Sequence, residues 1–131
     1  MAETLIEWTE HYFRHKDIFD KKLENIIKEK EHLILKYKDR KDIVFINAVL
    51  EKEVFKALEN YKEYDKLFII CAESRTNIDF IIENWKEILI KNLTIVFVNI
   101  KMNNRVLLNP FVHNMICDET TLESGIRALF N

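Results

Sequence analysis

Three continuous apolar segments between residues 42 and 100 place the strongest constraint on the fold of this 131-residue chain. They are DIVFINA (42–48), LFIICA (67–72) and LTIVFVNI (93–100). Each is short and rich in β-branched residues, which favours a strand. Their apolar residues run without alternation, a pattern typical of parallel strands whose two faces are both covered by helices.

The segments between these strands have helical periodicity. Residues 49–61 carry Leu50, Val54 and Leu58 on one helical face, and residues 77–90 repeat the pattern. The order β-α-β-α-β predicts an α/β fold, specifically a small Rossmann-like, doubly wound three-layer sandwich with a largely parallel sheet of three to five strands. The length fits one domain over residues 1–131.

Residues 1–40 are predicted to form an N-terminal helical extension of a core that spans residues 41–131. The apolar residues of this region are spaced mostly by three or four positions, as on one face of a helix. They include Leu5, Trp8, Tyr12, Phe19, Leu23 and Ile26, which we call the N-terminal stripe. This is more apolar surface than one face of a small sheet needs, and it would promote aggregation unless covered.

The N-terminal stripe therefore gives the leading functional hypothesis. The chain is expected to be a small interaction or assembly module without catalysis of its own, which forms a homo-oligomer or docks on a protein partner through this region. The balance of 48% apolar and 32% charged residues is that of a soluble protein. Without a secretory signal pattern or an apolar run long enough to span a membrane, it is expected to be cytoplasmic.

Glycine content excludes several enzyme classes. The chain has one glycine, Gly125, whereas loops that bring the backbone close to a phosphate need several. The Walker A loop, the dinucleotide-binding turn, the kinase glycine loop and the GxSxG nucleophile elbow are all absent from the sequence. No cofactor and no catalytic residue is predicted.

An alternative function rests on CAESRTN (71–77), which follows the second strand and precedes a helix. In open α/β sheets ligands bind where strands end and helices begin, and helix N-terminal amides attract anions. The alternative is an enzyme or sensor that binds a nucleotide or phosphate ester. Its predicted ligand-binding residues are Asn47, Glu73, Ser74, Arg75, Thr76 and Asn99, with Ser74 or Thr76 as the helix cap.

Histidines and cysteines offer further possibilities. Glu7, His11 and His15 share a face if their helix is unbroken, where they could hold a metal or simply face water. His113 could act as an acid or base with Asp118 and Glu119, or be a structural turn residue. Cys71 and Cys117 both lie in apolar surroundings and are predicted to be reduced core residues.

A weaker alternative is a nucleic-acid accessory protein. The segment 28–41 is rich in Lys and Arg, contains Tyr37, and could contact phosphates together with Arg105. Acidic residues within the segment cancel most of this charge, and the net charge of the chain is −2.

The C-terminal region is less regular. KMNNRVLL (101–108) predicts a hairpin, because paired asparagines tolerate positive φ. HNMICDE (113–119) is interpreted as a short last strand. TTLESGIRALF (120–130) is predicted to be a helix that starts with a capping box of Thr120 and Glu123.

Overall fold

A computed structural model describes residues 2–30 and 32–130. One sheet runs through it in the spatial order β1 to β6, which is also the chain order. Its strands are β1 (Leu23–Lys28), β2 (His32–Tyr37), β3 (Lys41–Ile46), β4 (Lys66–Ala72), β5 (Leu93–Asn99) and β6 (Asn104–Leu108). The α-helices are α1 (Ala2–Lys16), α2 (Lys52–Ala57), α3 (Arg75–Glu83), α4 (Pro110–Ile116) and α5 (Leu122–Ala128).

The predicted α/β class is confirmed, but the sheet is mixed. The three continuous apolar segments form β3, β4 and β5, which pair in parallel. The pairs β1–β2, β2–β3 and β5–β6 are antiparallel. A largely parallel sheet of three to five strands was therefore the wrong expectation, because hairpins add three further strands around the parallel centre.

The doubly wound arrangement is also wrong. Both parallel crossovers proceed in the same direction across the sheet, and right-handed crossovers of that kind place their helices on one face. Accordingly, Val54 of α2, Ile81 of α3 and Ile126 of α5 all pack into one core cluster with that face. Because the strand order of the sheet does not reverse, the described residues form no crevice of the kind that binds ligands in doubly wound sheets.

Residues 23–37 are two strands and not part of a helix. In β2, Leu33 and Leu35 are buried towards α1, while Ile34 packs into the cluster on the opposite face. The turn between β1 and β2, near Glu29, contains neither glycine nor proline, so the sequence has no hairpin signal at this point. Pairing of β2 with β3 on one side and with β1 on the other settles the structure, since it satisfies the backbone groups of β2 along both edges.

Helix α1 covers the other face of the sheet. Leu5 is 3% exposed and Phe13 is 1% exposed, and the Phe13 ring meets Phe68 of β4 edge to face with centroids 5.0 Å apart. Burying such side chains stabilises the fold by roughly 1.5–3 kcal/mol each. The region predicted as a helical extension therefore supplies one layer and two strands of the core.

The C-terminal region is partly as expected. The hairpin joining β5 and β6 is confirmed, and Asn103 adopts the positive φ (51°) that its turn requires. The short strand at 113–119 is wrong, because residues 110–116 form α4. Asn109 caps this helix, its Oδ1 accepting a hydrogen bond from the Val112 N–H at 3.2 Å, and Pro110 stands in its first turn.

Helix α5 confirms the predicted C-terminal helix without its capping box. Its N-cap is Thr121, and the cap makes no side-chain hydrogen bond. Thr121 Oγ1 instead donates to the carbonyl of Asp118 at 3.1 Å. Its hydroxyl is therefore bonded to the turn before the helix and not to a backbone N–H of the first helical turn.

Candidate functional site

A buried asparagine fixes the end of β4 and the start of α3. Asn77 is 0% exposed, and its Oδ1 accepts the Leu50 N–H at 2.9 Å. Its Nδ2 donates to the carbonyls of Ala48 and Ala72, both at 2.8 Å. One side chain thus joins the segments that leave β3 and β4. Asn77 stands within the predicted cluster, but only the tertiary contacts identify it as the residue that organises the cluster.

Ser74 starts α3, as one of the two predicted caps. Its backbone is extended (φ −143°, ψ 155°), and its Oγ accepts the Asn77 N–H at 3.2 Å. Thr76 lies inside the first turn and is exposed, so it is not the cap. The Glu73 N–H donates to the carbonyl of Val98 at 2.9 Å, which ties the approach to α3 to strand β5.

A cavity of about 360 Å³, open to solvent, lies between the start of α3, the end of β5 and α5. We call it the α3–α5 cavity. It is lined by Glu73, Ser74, Arg75, Ile78, Asn99, Arg127 and Phe130. Four of the six predicted ligand-binding residues thus come together here. Asn47 and Thr76 do not line it.

Three lining residues, Ile78, Arg127 and Phe130, were not among the predicted ligand-binding residues. Arg127 of α5 donates from Nη2 to Asp79 Oδ1 at 2.7 Å and from Nε to Glu123 Oε2 at 3.3 Å. The hydrogen bond to Asp79 is the main cause that raises the pKa of Arg127 above its usual value. Phe130 meets Phe97 of β5 edge to face, 4.9 Å between centroids. The sequence signal for Arg127 and Phe130 is the predicted helix 120–130, which includes both, but nothing local predicts that this region docks on α3.

The two arginines of the cavity differ in whether they form ion pairs. Arg127 is held by two carboxylates, whereas Arg75 is exposed and makes no ion pair within the described ranges. Glu73 adds a carboxylate, and Asn99 an amide whose Oδ1 already accepts the Met102 N–H at 3.2 Å. A guanidinium beside a helix N-terminus can hold an anion by charge-assisted hydrogen bonds.

The N-terminal stripe is divided by the fold. Leu5 and Ile26 are buried, and Trp8, Tyr12 and Leu23 pack partly buried against the same cluster. Phe19, in the turn after α1, is 94% exposed, and its neighbour Ile18 is 50% exposed.

The described residues form neither the metal site considered above nor a continuous basic surface for nucleic acid. Glu7, His11 and His15 are all exposed on α1, and within residues 2–30 and 32–130 no three His, Cys, Asp or Glu side chains are grouped to hold a metal. The basic segment 28–41 lies on β1, β2, β3 and their turns. Because strand side chains alternate between faces, its cations do not form one helical stripe.

The two cysteines differ from each other. Cys71 lies in β4, is 0% exposed as predicted, and burial raises the pKa of its thiol far above the usual range. Cys117 at the end of α4 is only partly buried, so its placement in the core was wrong. His113 lies inside α4 and is not a turn residue.

Comparison with protein-family models, with curated proteins and with solved structures found no match to this chain. In the described part of the chain, none of the helices combines the length and apolar character needed to cross a bilayer.

Proposed function

We propose that this protein binds a small ligand with a phosphate or similar anionic group, such as a nucleotide or phosphate ester, in the α3–α5 cavity. The observation that carries the proposal is the convergence of Arg75, Arg127 and the N-terminus of α3 on one cavity. Backbone N–H groups at a helix start and guanidinium groups are both donors that suit phosphate oxygens.

Arg75 is the group best suited to hold the anion. It is exposed at the first position of α3, and no carboxylate in the described ranges pairs with it. An incoming phosphate would therefore not have to displace an existing partner. Hydrogen bonds to a charged group contribute about 1.5–3 kcal/mol, which is tenfold or more in affinity.

The remaining lining residues favour a ligand with more than a phosphate. Glu73 would repel a bare anion but accepts hydrogen bonds from hydroxyl or amino groups. Ile78 and Phe130 add apolar surface on which a planar ring can lie. The volume of about 360 Å³ falls at the small end of ligand sites. A mononucleotide meets these requirements together.

Isothermal titration calorimetry with adenosine monophosphate and with inorganic phosphate tests the proposal. Adenosine monophosphate should bind with a Kd of about 1 mM or tighter. Arg75→Ala should weaken it at least about tenfold. Arg105→Ala is the matched control, because Arg105 is an exposed arginine that stacks on Tyr12 and does not line the cavity.

The outcomes are distinct. Equal loss in Arg75→Ala and Arg105→Ala would mean non-specific attraction to positive charge, and it would contradict the proposed site. No saturable heat with either probe would also contradict it. Binding of adenosine monophosphate but not of inorganic phosphate would support the contribution of Glu73 and Phe130, with Glu73→Gln then expected to alter affinity for the nucleoside part.

A second candidate function is assembly of two copies through the part of the N-terminal region that the fold leaves exposed. Its specific support is the turn after α1, where Phe19 is 94% exposed and Ile18 50% exposed. Native mass spectrometry should then detect a dimer that Phe19→Asp abolishes. Met102→Asp, at another exposed apolar residue (72%), should leave the dimer intact. A monomeric wild-type protein would contradict this candidate.

A further inference from the structure

Strand β6 lies at an open edge of the sheet. It pairs with β5 on one side, and in the described part of the chain no strand pairs with its other side. Its register with β5 runs without a bulge from Asn104 to Leu108, and this segment contains no proline. An edge of this kind presents unpaired backbone N–H and C=O groups, which another strand can bind.

The other edge strand, β1, is protected. Its register with β2 is irregular between residues 23 and 25, as at a β-bulge, and Glu24 and Lys28 are exposed charges along it. Bulges and charged side chains are common means of preventing strand pairing at an edge. The one charged side chain of β6 is Arg105, and its guanidinium lies over the Tyr12 ring of α1, 5.0 Å from the ring centroid. The β6 edge is therefore the less protected of the two.

The hydrogen bonds of β5 show which backbone groups of β6 are free. The Val98 carbonyl accepts the Glu73 N–H at 2.9 Å, so Val98 points its backbone groups towards the β4 side. Arg105 is the residue opposite Val98, and its N–H and C=O therefore point away from β5. Because the direction alternates along a strand, the N–H and C=O of Leu107 point to the open side too.

Two further observations agree with this open side. The Arg105 N–H donates to Oδ1 of the neighbouring Asn104 at 3.2 Å, a local bond that another strand could replace. Leu107 is 43% exposed, although its partner in the register, Val96, is 0% exposed in the core cluster on the α1 side. Leu107 thus adds exposed apolar surface beside the free backbone groups.

We propose that two copies of this chain pair through β6 in antiparallel orientation, which makes one continuous sheet across a dimer. A twofold axis at Val106 places Arg105 of each copy opposite Leu107 of the other, so that their outward N–H and C=O groups bond in both directions. The two Val106 residues then face each other, and Leu107 packs on the aliphatic part of the second copy's Arg105.

The self-complementary side chains of β6 favour a second copy over an unrelated strand. In this register no two like charges lie directly opposite each other, an arrangement that would be destabilising. The apolar residues Val106 and Leu107 both gain apolar neighbours, so the strand matches itself in backbone and side chains. The dimer needs neither Phe19 nor the residues that line the α3–α5 cavity, and it is therefore separate from both proposed functions.

Sedimentation velocity of the full chain tests the pairing. Over a concentration series of about 10–500 µM we expect a dimer with a Kd of about 100 µM or tighter. Leu107→Pro removes an outward N–H and leaves the hydrogen bonds to β5 in place, so it should weaken the dimer at least about tenfold. Leu107→Val is the matched control and should dimerise like the wild type, because it keeps the N–H and an apolar side chain. Asn104→Ala should tighten the dimer about threefold, because it frees the Arg105 N–H.

A cross-link tests the position of the axis. Two copies of residue 106 lie opposite each other in a pair without hydrogen bonds, where the Cβ atoms are about 4.5–5.5 Å apart and a disulfide can form. Val106→Cys should therefore give a covalent dimer under mild oxidation, identified by non-reducing electrophoresis and peptide mass spectrometry. Ile27→Cys is the matched control, a partly buried position on the β1 edge that should give no such dimer.

Circular dichroism establishes whether each variant is folded. A wild-type protein that stays monomeric throughout the concentration series overturns the proposal, and so does a folded Leu107→Pro protein that dimerises like the wild type. Survival of the dimer in Leu107→Pro with its loss in Phe19→Asp would support the N-terminal assembly instead. If Leu107→Pro does not fold, the cross-link decides, since equal yields from Val106→Cys and Ile27→Cys, or no yield from either, overturn the pairing.

Discussion

Arg127 of α5 donates a 2.7 Å hydrogen bond to Asp79 of α3, and this pair joins two helices at the wall of the α3–α5 cavity. The residues are 48 positions apart in the chain. The contact has two consequences, since it adds a polar link between α3 and α5 beside the packing of Ile126, and it occupies a guanidinium that an anionic ligand could use. It therefore connects the fold with the proposed binding.

Removing Asp79 should strengthen anion binding. Asp79→Ala takes away a negative charge near the cavity and releases Arg127 Nη2 for a ligand, which should tighten binding of adenosine monophosphate about threefold. Calorimetry at low salt is the measurement. Glu123→Ala is the matched control and should have a smaller effect, because Glu123 contacts Arg127 at a longer 3.3 Å and is 67% exposed. Weaker binding in Asp79→Ala would show that Asp79 orients Arg127 and does not compete for it.

Asn77 should be among the residues that matter most for stability. Asn77→Ala leaves the Leu50 N–H and the carbonyls of Ala48 and Ala72 without their buried partner, which should lower the free energy of unfolding by about 2–4 kcal/mol in urea. Asn92→Ala is the control, since its bonds are longer, partly exposed and all from Nδ2. Similar losses in both variants would contradict the assigned role of Asn77.

Replacing two phenylalanines of the N-terminal region should affect stability by very different amounts. Phe13→Ala removes a ring that is 1% exposed and packed on Phe68, so we expect a loss of about 3–5 kcal/mol. Phe19→Ala changes a side chain that is 94% exposed, and the monomer should change by about 0.5 kcal/mol or less. Urea unfolding of both variants is the measurement. A stable Phe13→Ala protein would mean that α1 is not part of the core.

Asp42 should make stability depend on pH. It is 1% exposed, its Oδ2 accepts from Arg40 Nε at 3.2 Å, and its Oδ1 has no partner in the described ranges. Burial raises the pKa of Asp42 above its usual 3.8, against the opposing effect of Arg40. The folded state then holds the proton of Asp42 more tightly than the unfolded state does. The contribution of Asp42 to the free energy of unfolding is therefore lost as pH rises from 3.8 through the folded pKa.

Asp42→Asn removes that dependence. We expect the wild type to lose stability relative to Asp42→Asn as pH rises over this interval, and the difference to be constant at higher pH. Unfolding in urea across a pH series gives the comparison. A difference that does not vary with pH would contradict a raised pKa for Asp42.

Part of the site followed directly from local sequence. Glu73, Ser74 and Arg75 lie between an apolar run that indicates a buried strand and a segment with helical spacing, and Ser74 is a residue type that caps helices. These signals are local, because an apolar run and an N-cap hydrogen bond each involve residues within a few positions of each other.

The segment 23–37 shows where local signals fail. Its apolar spacing suits a helix, and the turn near Glu29 lacks the glycine, proline or asparagine that marks hairpins. Pairing of Leu33 with Val44 of β3 decides its structure, and such pairing is not visible in a window of neighbouring residues. Propensity differences of a few tenths of a kcal/mol per residue cannot outweigh a strand's hydrogen bonds and burial.

The sequence by itself determined the parallel centre β3–β5, the capped start of α3 and the absence of glycine-rich phosphate loops. Only the tertiary structure decided that α1 covers one face and that Arg127 and Phe130 complete the α3–α5 cavity. The first group is read from composition and from patterns within single segments of the chain. The second depends on docking of whole helices, whose free energy comes from burial summed over distant residues.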